Sequence, residues 1–425
     1  MISKVRGTQD ILPARFTDKI DAQIERWHAI ERAAREAFRR FGFSEIRTPI
    51  IERTEVFERG VGTETDVNKE MYTFQDRDGE SISLRPESTA SVVRAYIEHG
   101  LFNQPGLQKL YYIGPQFRRE RPQKGRYRQF SQIGAEVLGQ SDNPAIEAEV
   151  IEMLDWYLKQ LGITDTDLLV NSIGDENCRP AYIIRLKEAI REVLPHLCGS
   201  CKQRYETNPL RVLDCKVESC QPYLDQLPAI TDMLCEPCRA HFAEFRQMLD
   251  ERKVEYRVAP RLVRGLDYYM RTAFEITGNR LGAQNTLVGG GRYDGLSQLL
   301  GGPPVKGVGF AFGVERMAMS MPESSFDYRA DAPALFVTYI GEEARRFSFA
   351  LATRLRGEGI SVVVDLEGRK LKKALAVANN LGSRYALIIG ESEIQSGSFV
   401  LRMMDSGEQR NLSEAELIEE LAKGV

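Results

Sequence analysis

No stretch of this sequence approaches the roughly 18 consecutive apolar residues that a membrane-crossing helix requires, and no collagen-like, heptad-dominated or low-complexity tract interrupts it. Those absences exclude a spanning, fibrous or disordered protein. Histidine is scarce, four in 425 residues with none paired at ligand spacing, which argues against a catalytic zinc held by imidazoles. Seven cysteines is an odd number for so long a chain, so a disulfide framework is not expected, and reduced thiols in a cytoplasmic protein are. The opening residues MISKVRGTQDILP hold no apolar core of a signal peptide, so export is not expected either. A global excess of positive charge is also missing. The net charge is −4, and any polyanion must therefore be held by local basic patches.

With 42% apolar and 28% charged residues, the chain has the composition of a globular protein of two or three domains. Ile20, Ile24, Trp27, Ile30, Ala34 and Phe38 recur on one face of a helix expected over 18–41. A strand from Ser44 to Ile51, broken at Pro49, follows. The pattern from Met71 to Leu84 around Asp78-Gly79 predicts a hairpin. Arg85 to Thr89 then opens a helix to about His99. A second hairpin is expected from Gln108–Phe117 and Tyr127–Leu138, and a further strand from Leu168 to Ile173. Adjoining hairpins imply an antiparallel sheet, not the alternation of a dinucleotide-binding domain.

A polar helical stretch over 176–258 holds every cysteine and reads as an insertion. Sheet pattern resumes from Arg261 to Ile276 and from Leu287 to Phe312, and a helix begins near Gly313. Beyond a linker from Met321 to Pro333 the order becomes βαβαβ: Leu335–Ile340, Glu342–Arg356, Ser361–Asp365, Leu371–Leu381 and Ala386–Ile389. Ser413 and Glu416 form a capping box for the last helix. The expected fold class is α+β. Its parts are an antiparallel sheet flanked by helices over 1–325, interrupted by the helical insertion, and a C-terminal α/β domain over 333–425.

The densest chemistry lies in Phe117-Arg118-Arg119-Glu120-Arg121-Pro122-Gln123-Lys124-Gly125-Arg126-Tyr127-Arg128, six cations and one acid between two apolar strands. Guanidinium forks match phosphate oxygens, so such a loop suits a nucleotide or an RNA end; a solvated charged loop is the plain alternative. Gly289-Gly290-Gly291-Arg292-Tyr293-Asp294-Gly295 lacks the Lys-Ser/Thr ending of a P-loop, and Gly307, Gly309 and Gly313 are spaced one residue too widely for a dinucleotide fingerprint.

The basic segment resembles motif 2 of class II aminoacyl-tRNA synthetases. Arg47-Thr48-Pro49 resembles motif 1, and Gly307-Val308-Gly309-Phe310 through Gly313-Val314-Glu315-Arg316 resembles motif 3. Leu262-Val263-Arg264-Gly265-Leu266-Asp267-Tyr268-Tyr269 is similar to a signature of the histidyl enzymes. The resemblance runs over almost the whole chain. It implies a class II catalytic domain, a C-terminal anticodon-binding domain, a homodimer built through motif 1, and L-histidine, ATP with Mg²⁺ and tRNA(His) as ligands.

Residue by residue, the resemblance gives Arg118 and Arg264 to the α-phosphate, Arg316 to the γ-phosphate and Glu120 to the adenine side. Glu87, Thr89 and Gln132 would take the histidine ammonium, and Glu136 and Tyr269 its ring, with Tyr268 lining the pocket. Gln123 and Arg126 would meet tRNA, Gln123 near the extra 5′ guanosine of the cognate tRNA. The glycine run at 289–291 would lie beside the histidine site. A related histidine-sensing regulatory subunit of ATP phosphoribosyltransferase is the alternative, but that paralogue lacks the C-terminal domain and degrades the arginine signatures. Cys198-x2-Cys201 and Cys235-x2-Cys238 have the spacing of two knuckles for one candidate structural zinc. The resemblance carries no metal there.

Overall fold

The computed structural model describes residues 2–62, 65–266, 268–281, 285–323 and 332–422. Asp267 of the signature, most of the expected linker and the last three residues of the expected C-terminal domain lie outside them. Two compact units divide the chain. The larger takes in 26–323 with 2–11 and 20–22, and the smaller takes in 332–422 with two short N-terminal pieces.

The larger unit is built on an eight-stranded sheet. In chain order the strands of this unit are β1 (Ser44–Glu45), β2 (Ile51–Arg53), β3 (Tyr72–Gln75), β4 (Ser81–Leu84), β5 (Gln108–Phe117), β6 (Gln129–Gly139), β7 (Thr166–Ser172), β8 (Arg257–Val258), β9 (Met270–Gly278), β10 (Thr286–Arg292) and β11 (Lys306–Gly313). The large sheet runs β1-β5-β6-β11-β10-β9-β7-β8, while β2, β4 and β3 form a small sheet of their own. All neighbours from β5 to β7 are antiparallel; only the short edge strands β1 and β8 pair in parallel.

Alternation decides which face of this sheet is which. Ile133, Ala135 and Val137 on β6, Val308, Phe310 and Phe312 on β11, and Phe274 and Ile276 on β9 share one core. Ile30, Ala34 and Phe38 of the helix Ile24–Arg40 and Ile151 and Leu154 of the helix Ala145–Gln160 pack into that same core. The opposite face presents Gln132, Gly134 and Glu136, then Gly309, Ala311 and Gly313, then Gly289 and Gly291. One face is oil; the other is glycine and polar groups.

The first helix begins at Ile24, later than its pattern suggests, after a 3-10 turn at Ile20–Ala22. Tertiary bonds compete for that turn. Buried Asp21 accepts a hydrogen bond from Tyr127, and its carbonyl accepts one from Trp27 Nε1 at 3.0 Å. The break at Pro49 is present, between β1 and β2, and Arg85 fills it. Its Nη1 donates to the Thr48 carbonyl and its Nε to the Pro115 carbonyl, both at 2.9 Å, satisfying oxygens that no ladder reaches.

The insert has a separate core that includes Tyr182, Leu186, Ile190, Val212 and Leu224. Its last helix, Glu236–Glu251, instead gives Phe242, Phe245 and Leu249 to the main core, so 176–258 is not a single body. The smaller unit is a five-stranded sheet in the order β13-β12-β14-β15-β16, formed by β12 (Leu335–Tyr339), β13 (Val362–Val364), β14 (Tyr385–Ile389), β15 (Phe399–Met403) and β16 (Gln409–Leu412). β12, β13 and β14 are parallel as expected, and the antiparallel pair β15–β16 extends them. The Ser413–Glu416 capping box forms, Ser413 N–H donating to Glu416 at 2.8 Å. No helix among the described residues is long and apolar enough to cross a membrane.

Candidate active site

The polar face of the large sheet owes its shape to missing side chains. A Cβ at Gly309 would fall on the Glu136 carboxylate, and one at Gly289 on the Arg264 guanidinium. Gly309 is the cross-strand partner of Glu136. A Cβ at Gly307 would strike the Tyr293 ring, and one at Gly134 the Tyr112 hydroxyl. Glycine here lets long polar side chains lie flat on the backbone, a close approach that any other residue forbids.

On this floor Glu136 is fully buried, its Oε1 accepting from Thr89 Oγ1 at 2.7 Å and its Oε2 from the Tyr293 hydroxyl. Burial pushes its carboxyl up to about 8, against the pull of those two hydrogen bonds. Glu87 is buried beside it and caps the helix Thr89–Glu98, accepting from Thr89 N at 2.7 Å and Ala90 N at 2.9 Å. Desolvation raises its carboxyl too, while those N–H groups oppose the shift. Neither acid has a salt-bridge partner among the described residues. Gln132, on the same face of β6, has a buried Oε1 with no hydrogen-bond partner. Tyr268 and Tyr269 stack at a tilt with centroids 4.7 Å apart, and Tyr293 meets both edge-on. Two unpaired acids, an orphan amide oxygen and an aromatic wall together suit a small cationic or imidazole-bearing ligand.

Three arginines lie next to these groups. Arg118 leaves the end of β5, donates from Nε to the Pro86 carbonyl at 2.9 Å and lies 5.2 Å over the Phe130 ring. That anchor sets it one residue from Glu87, whose charge it feels. Arg264 lies across Gly289, 5.7 Å over the Tyr269 ring, and pairs with Glu275 on β9 at 3.2 Å. Glu275 is itself held by Thr286 Oγ1 at 2.7 Å. Arg316, on the helix Val314–Ser320, has Arg126, Glu275 and Glu120 among its charged neighbours. It thus shares Glu275 with Arg264 and both Arg126 and Glu120 with Arg118. Three cations distant in sequence occupy one connected field.

The basic loop closes as a tight hairpin, Gln123 and Arg126 exchanging backbone hydrogen bonds across Lys124 and Gly125, where φ is +71°. Arg126 pairs with Glu120 at 3.3 Å, and the Gln123 side chain is exposed at the tip, outside the pocket.

Sequence reasoning missed several residues that hold this site. Arg292 is fully buried and makes a two-pronged pair with Glu147, Nε to Oε1 at 2.8 Å and Nη2 to Oε2 at 2.7 Å. Burial works against that carboxylate, but the His241 imidazole, its Nε2 3.2 Å away, and the Arg292 guanidinium outweigh it and hold it at about 2. Asp294 takes Arg292 Nη1 and the Gly307 N–H, both at 3.2 Å. The segment Gly289–Asp294 was read only for its glycines, although its Arg, Tyr and Asp hold the floor together. Glu315 is buried on the same helix as Arg316, accepts from Ser131 N at 2.9 Å and is pushed up to about 7 by burial.

The cysteine expectation is corrected. Cys198 and Cys201 do not meet Cys235 and Cys238. Cys198, Cys201, Cys215 and Cys220 form one cluster, and Asp175, Cys178, Cys235 and Cys238 form another. Spacing identifies a knuckle, but the fold of the insert chooses its partner, and residues 215 and 220 return to the first knuckle before the chain reaches the second.

A family model of histidyl-tRNA synthetase matches residues 15–174 and 206–317, and one of an anticodon binding domain matches 334–424. A histidine–tRNA ligase of Solibacter usitatus is 53% identical over 419 residues, covering 98% of each chain. That of Geobacter sulfurreducens is 48% identical over 410 residues, covering 96% of each. The solved apo histidyl-tRNA synthetase of S. aureus resembles the chain with a TM-score of 0.79 at 37% identity, covering 99% of this chain and 100% of that one. A Bacillus halodurans C protein described as an ATP phosphoribosyltransferase regulatory subunit/histidyl-tRNA synthetase shares the fold at 21% identity and a TM-score of 0.65, over 92% of this chain and 98% of that one. With buried acids, a tyrosine cluster and neighbouring arginines on the polar face of a class II sheet, and relatives of this identity along its length, the chain belongs to the histidyl-tRNA synthetase family.

Proposed function

We propose that this chain, a histidine–tRNA ligase of class II fold, performs its chemistry through Arg118 and Arg264 at the α-phosphate of ATP. The carboxylate oxygen of L-histidine bonds to the α-phosphorus while the bond to the bridging oxygen breaks and pyrophosphate leaves. Negative charge grows on the phosphorus oxygens as this happens, and guanidinium groups already in position stabilise it without reorganising. Arg316 takes the γ-phosphate and Glu120 lies toward the adenine; Mg²⁺ bound with ATP would supply charge that offsets the leaving group's. The 3′-terminal hydroxyl of tRNA(His) then attacks the carbonyl carbon of histidyl-adenylate, and AMP departs.

Glu87, Thr89 and Gln132 take the ammonium of histidine, and Glu136 with Tyr269 takes its ring, Tyr268 closing the wall. A neutral imidazole offers one donor and one acceptor, and a carboxyl pushed up to about 8 can serve either by gaining or losing a proton. Cytoplasmic homodimers are part of the same reading. Exposed Ile50, Ile51 and Phe74 beside the segment around Pro49 support such an interface. Gln123 and Arg126 at the loop tip face the acceptor end of tRNA. In the C-terminal domain Lys370, Lys372 and Lys373 are exposed and suit an RNA backbone, whereas Arg369 is tied to Asp365 at 2.6 Å and serves the loop instead. The division into 1–325, interrupted by 176–258, and 333–425 belongs to the same proposal.

The carrying observation is that Arg264 and Glu136 lie across one glycine floor, each in the space a methyl group would take. Histidine-dependent ATP–pyrophosphate exchange tests it. Exchange that requires histidine supports the ligase; histidine binding with no exchange would instead point to the regulatory paralogue.

A further inference from the structure

The insert holds all seven cysteines, and the two clusters account for every one of them, four in the first and three in the second, where Asp175 supplies the fourth position. We propose that the insert binds two zinc ions, one in a four-thiolate site of Cys198, Cys201, Cys215 and Cys220 and one in a mixed site of Asp175, Cys178, Cys235 and Cys238. The odd cysteine count, which excludes a closed set of disulfides, is what one site of four thiolates plus one of three thiolates and a carboxylate requires.

Geometry supports tetrahedral coordination at both. Zinc with sulfur at about 2.3 Å puts neighbouring sulfurs about 3.8 Å apart, and with a carboxylate oxygen at about 2.1 Å puts oxygen and sulfur about 3.6 Å apart. In the first cluster the Cys198 and Cys215 sulfurs are 3.9 Å apart. In the second, Asp175 Oδ1 lies 3.6 Å from the sulfurs of both Cys178 and Cys235. A disulfide would need sulfurs at about 2.05 Å, and all seven cysteines are free thiols. In each cluster all four donor atoms lie within 4.8 Å of one another.

The surroundings are those of thiolate sites. The Cys198 N–H points to the Cys220 sulfur at 3.2 Å, the Val217 N–H to Cys215 at 3.4 Å and the Asp175 N–H to Cys178 at 3.4 Å. Such donors orient metal ligands and stabilise their negative charge. Cys198, Cys235 and Cys178 each sit at the N-cap of a helix, where the dipole favours a thiolate. Arg271 Nη2 approaches the free oxygen of Asp175 at 3.7 Å. Soft sulfur donors in a small four-coordinate cage select zinc over magnesium or calcium.

The two sites would fasten different things. The first stitches helix Gly199–Thr207 to the turn-rich stretch after it. The second joins the N-termini of helices Arg179–Val193 and Glu236–Glu251 to the end of β7. There Arg179 Nη2 donates to the Gly174 carbonyl at 3.0 Å and to the Tyr269 carbonyl at 2.7 Å, which carries the clamp to the wall of the substrate pocket.

Elemental analysis of the full chain, prepared without a histidine tag, tests the proposal independently of any activity. About two zinc ions per chain are expected, about one in Cys215→Ser, about one in Cys238→Ser and almost none in the double variant. One ion or fewer in the unsubstituted chain, iron in place of zinc, or two ions retained in either single variant would overturn it. Should either variant fail to fold, the unsubstituted protein still decides. Titrating its seven thiols with a mercurial beside a zinc indicator must release two ions, and release of one or none refutes the pair.

Discussion

The eight-stranded and five-stranded sheets obey the same alternation but treat charge in opposite ways. Around the first, Arg26, Glu87, Glu136, Glu147, Arg292, Asp294 and Glu315 are all buried. In the smaller unit Asp365 is the one buried charged group among the described residues. The lysines of that unit stay at the surface, where water and salt weaken them. The contrast fits the two tasks proposed above. Stabilising charge on a reacting phosphorus calls for ionic groups in dry, fixed positions, whereas following an RNA backbone calls for charge that water can reach.

If that contrast is real, the largest effect should come from the buried pair behind the floor. Glu147→Ala takes from buried Arg292 its two-pronged partner and leaves it the single Asp294 contact, and we expect a loss of about 3–5 kcal/mol in denaturant unfolding. A loss under about 1 kcal/mol would mean the pair is replaceable and the contrast superficial. Arg264→Ala comes next. It should lower adenylate formation by roughly 10²- to 10³-fold in pyrophosphate exchange while histidine still binds, the usual scale for losing a transition-state donor. Near-normal exchange would remove Arg264 from its assigned place.

Glu136 gives a subtler test, because its carboxyl titrates near 8 in the fold against an ordinary value of 4.5. Its folded pKa is raised, so the folded state holds the proton more tightly than the unfolded chain does. Its favourable contribution is full below about pH 4.5 and fades as pH rises through 8. Glu136→Gln should therefore match the parent in thermal melts at pH 4 and exceed it by a few degrees at pH 8.5. Parallel melting curves across that range would dismiss the shift. The smallest effect belongs to the second sheet: Lys372→Ala with Lys373→Ala should weaken tRNA binding only several-fold and shallow the salt dependence of log K by up to about 2. A loss as large as that from Arg264→Ala would erase the distinction between the regions.

The fold was legible wherever period-two alternation met a turn signal. β5 and β6 were read within two residues because Ile133, Ala135 and Val137 alternate with polar neighbours. β16 was missed because Gln-Arg-Asn-Leu lies almost wholly exposed and has no apolar stripe to betray it. The helix Thr54–Val61 was missed as well, too short for its periodicity to stand out. In the site, the residues singled out from the sequence lie within recognisable motifs, and those acting through tertiary partners were passed over. Arg85, Arg292 and Tyr293 look ordinary in one dimension. The glycines they lie against, 114 and 307 among them, were the only trace, and a glycine does not say whose side chain it accommodates. The cysteines failed for the same reason, since their pairing is a property of how the insert winds.

The glycine-paved floor has one further consequence. Much of this site is specified by atoms that are left out, so a change that adds a single carbon is enough to disturb it. An alanine at 289 alters no charge, yet its Cβ would push the Arg264 guanidinium from its berth. The polar floor is a mould, and its tolerance is the width of a methyl group.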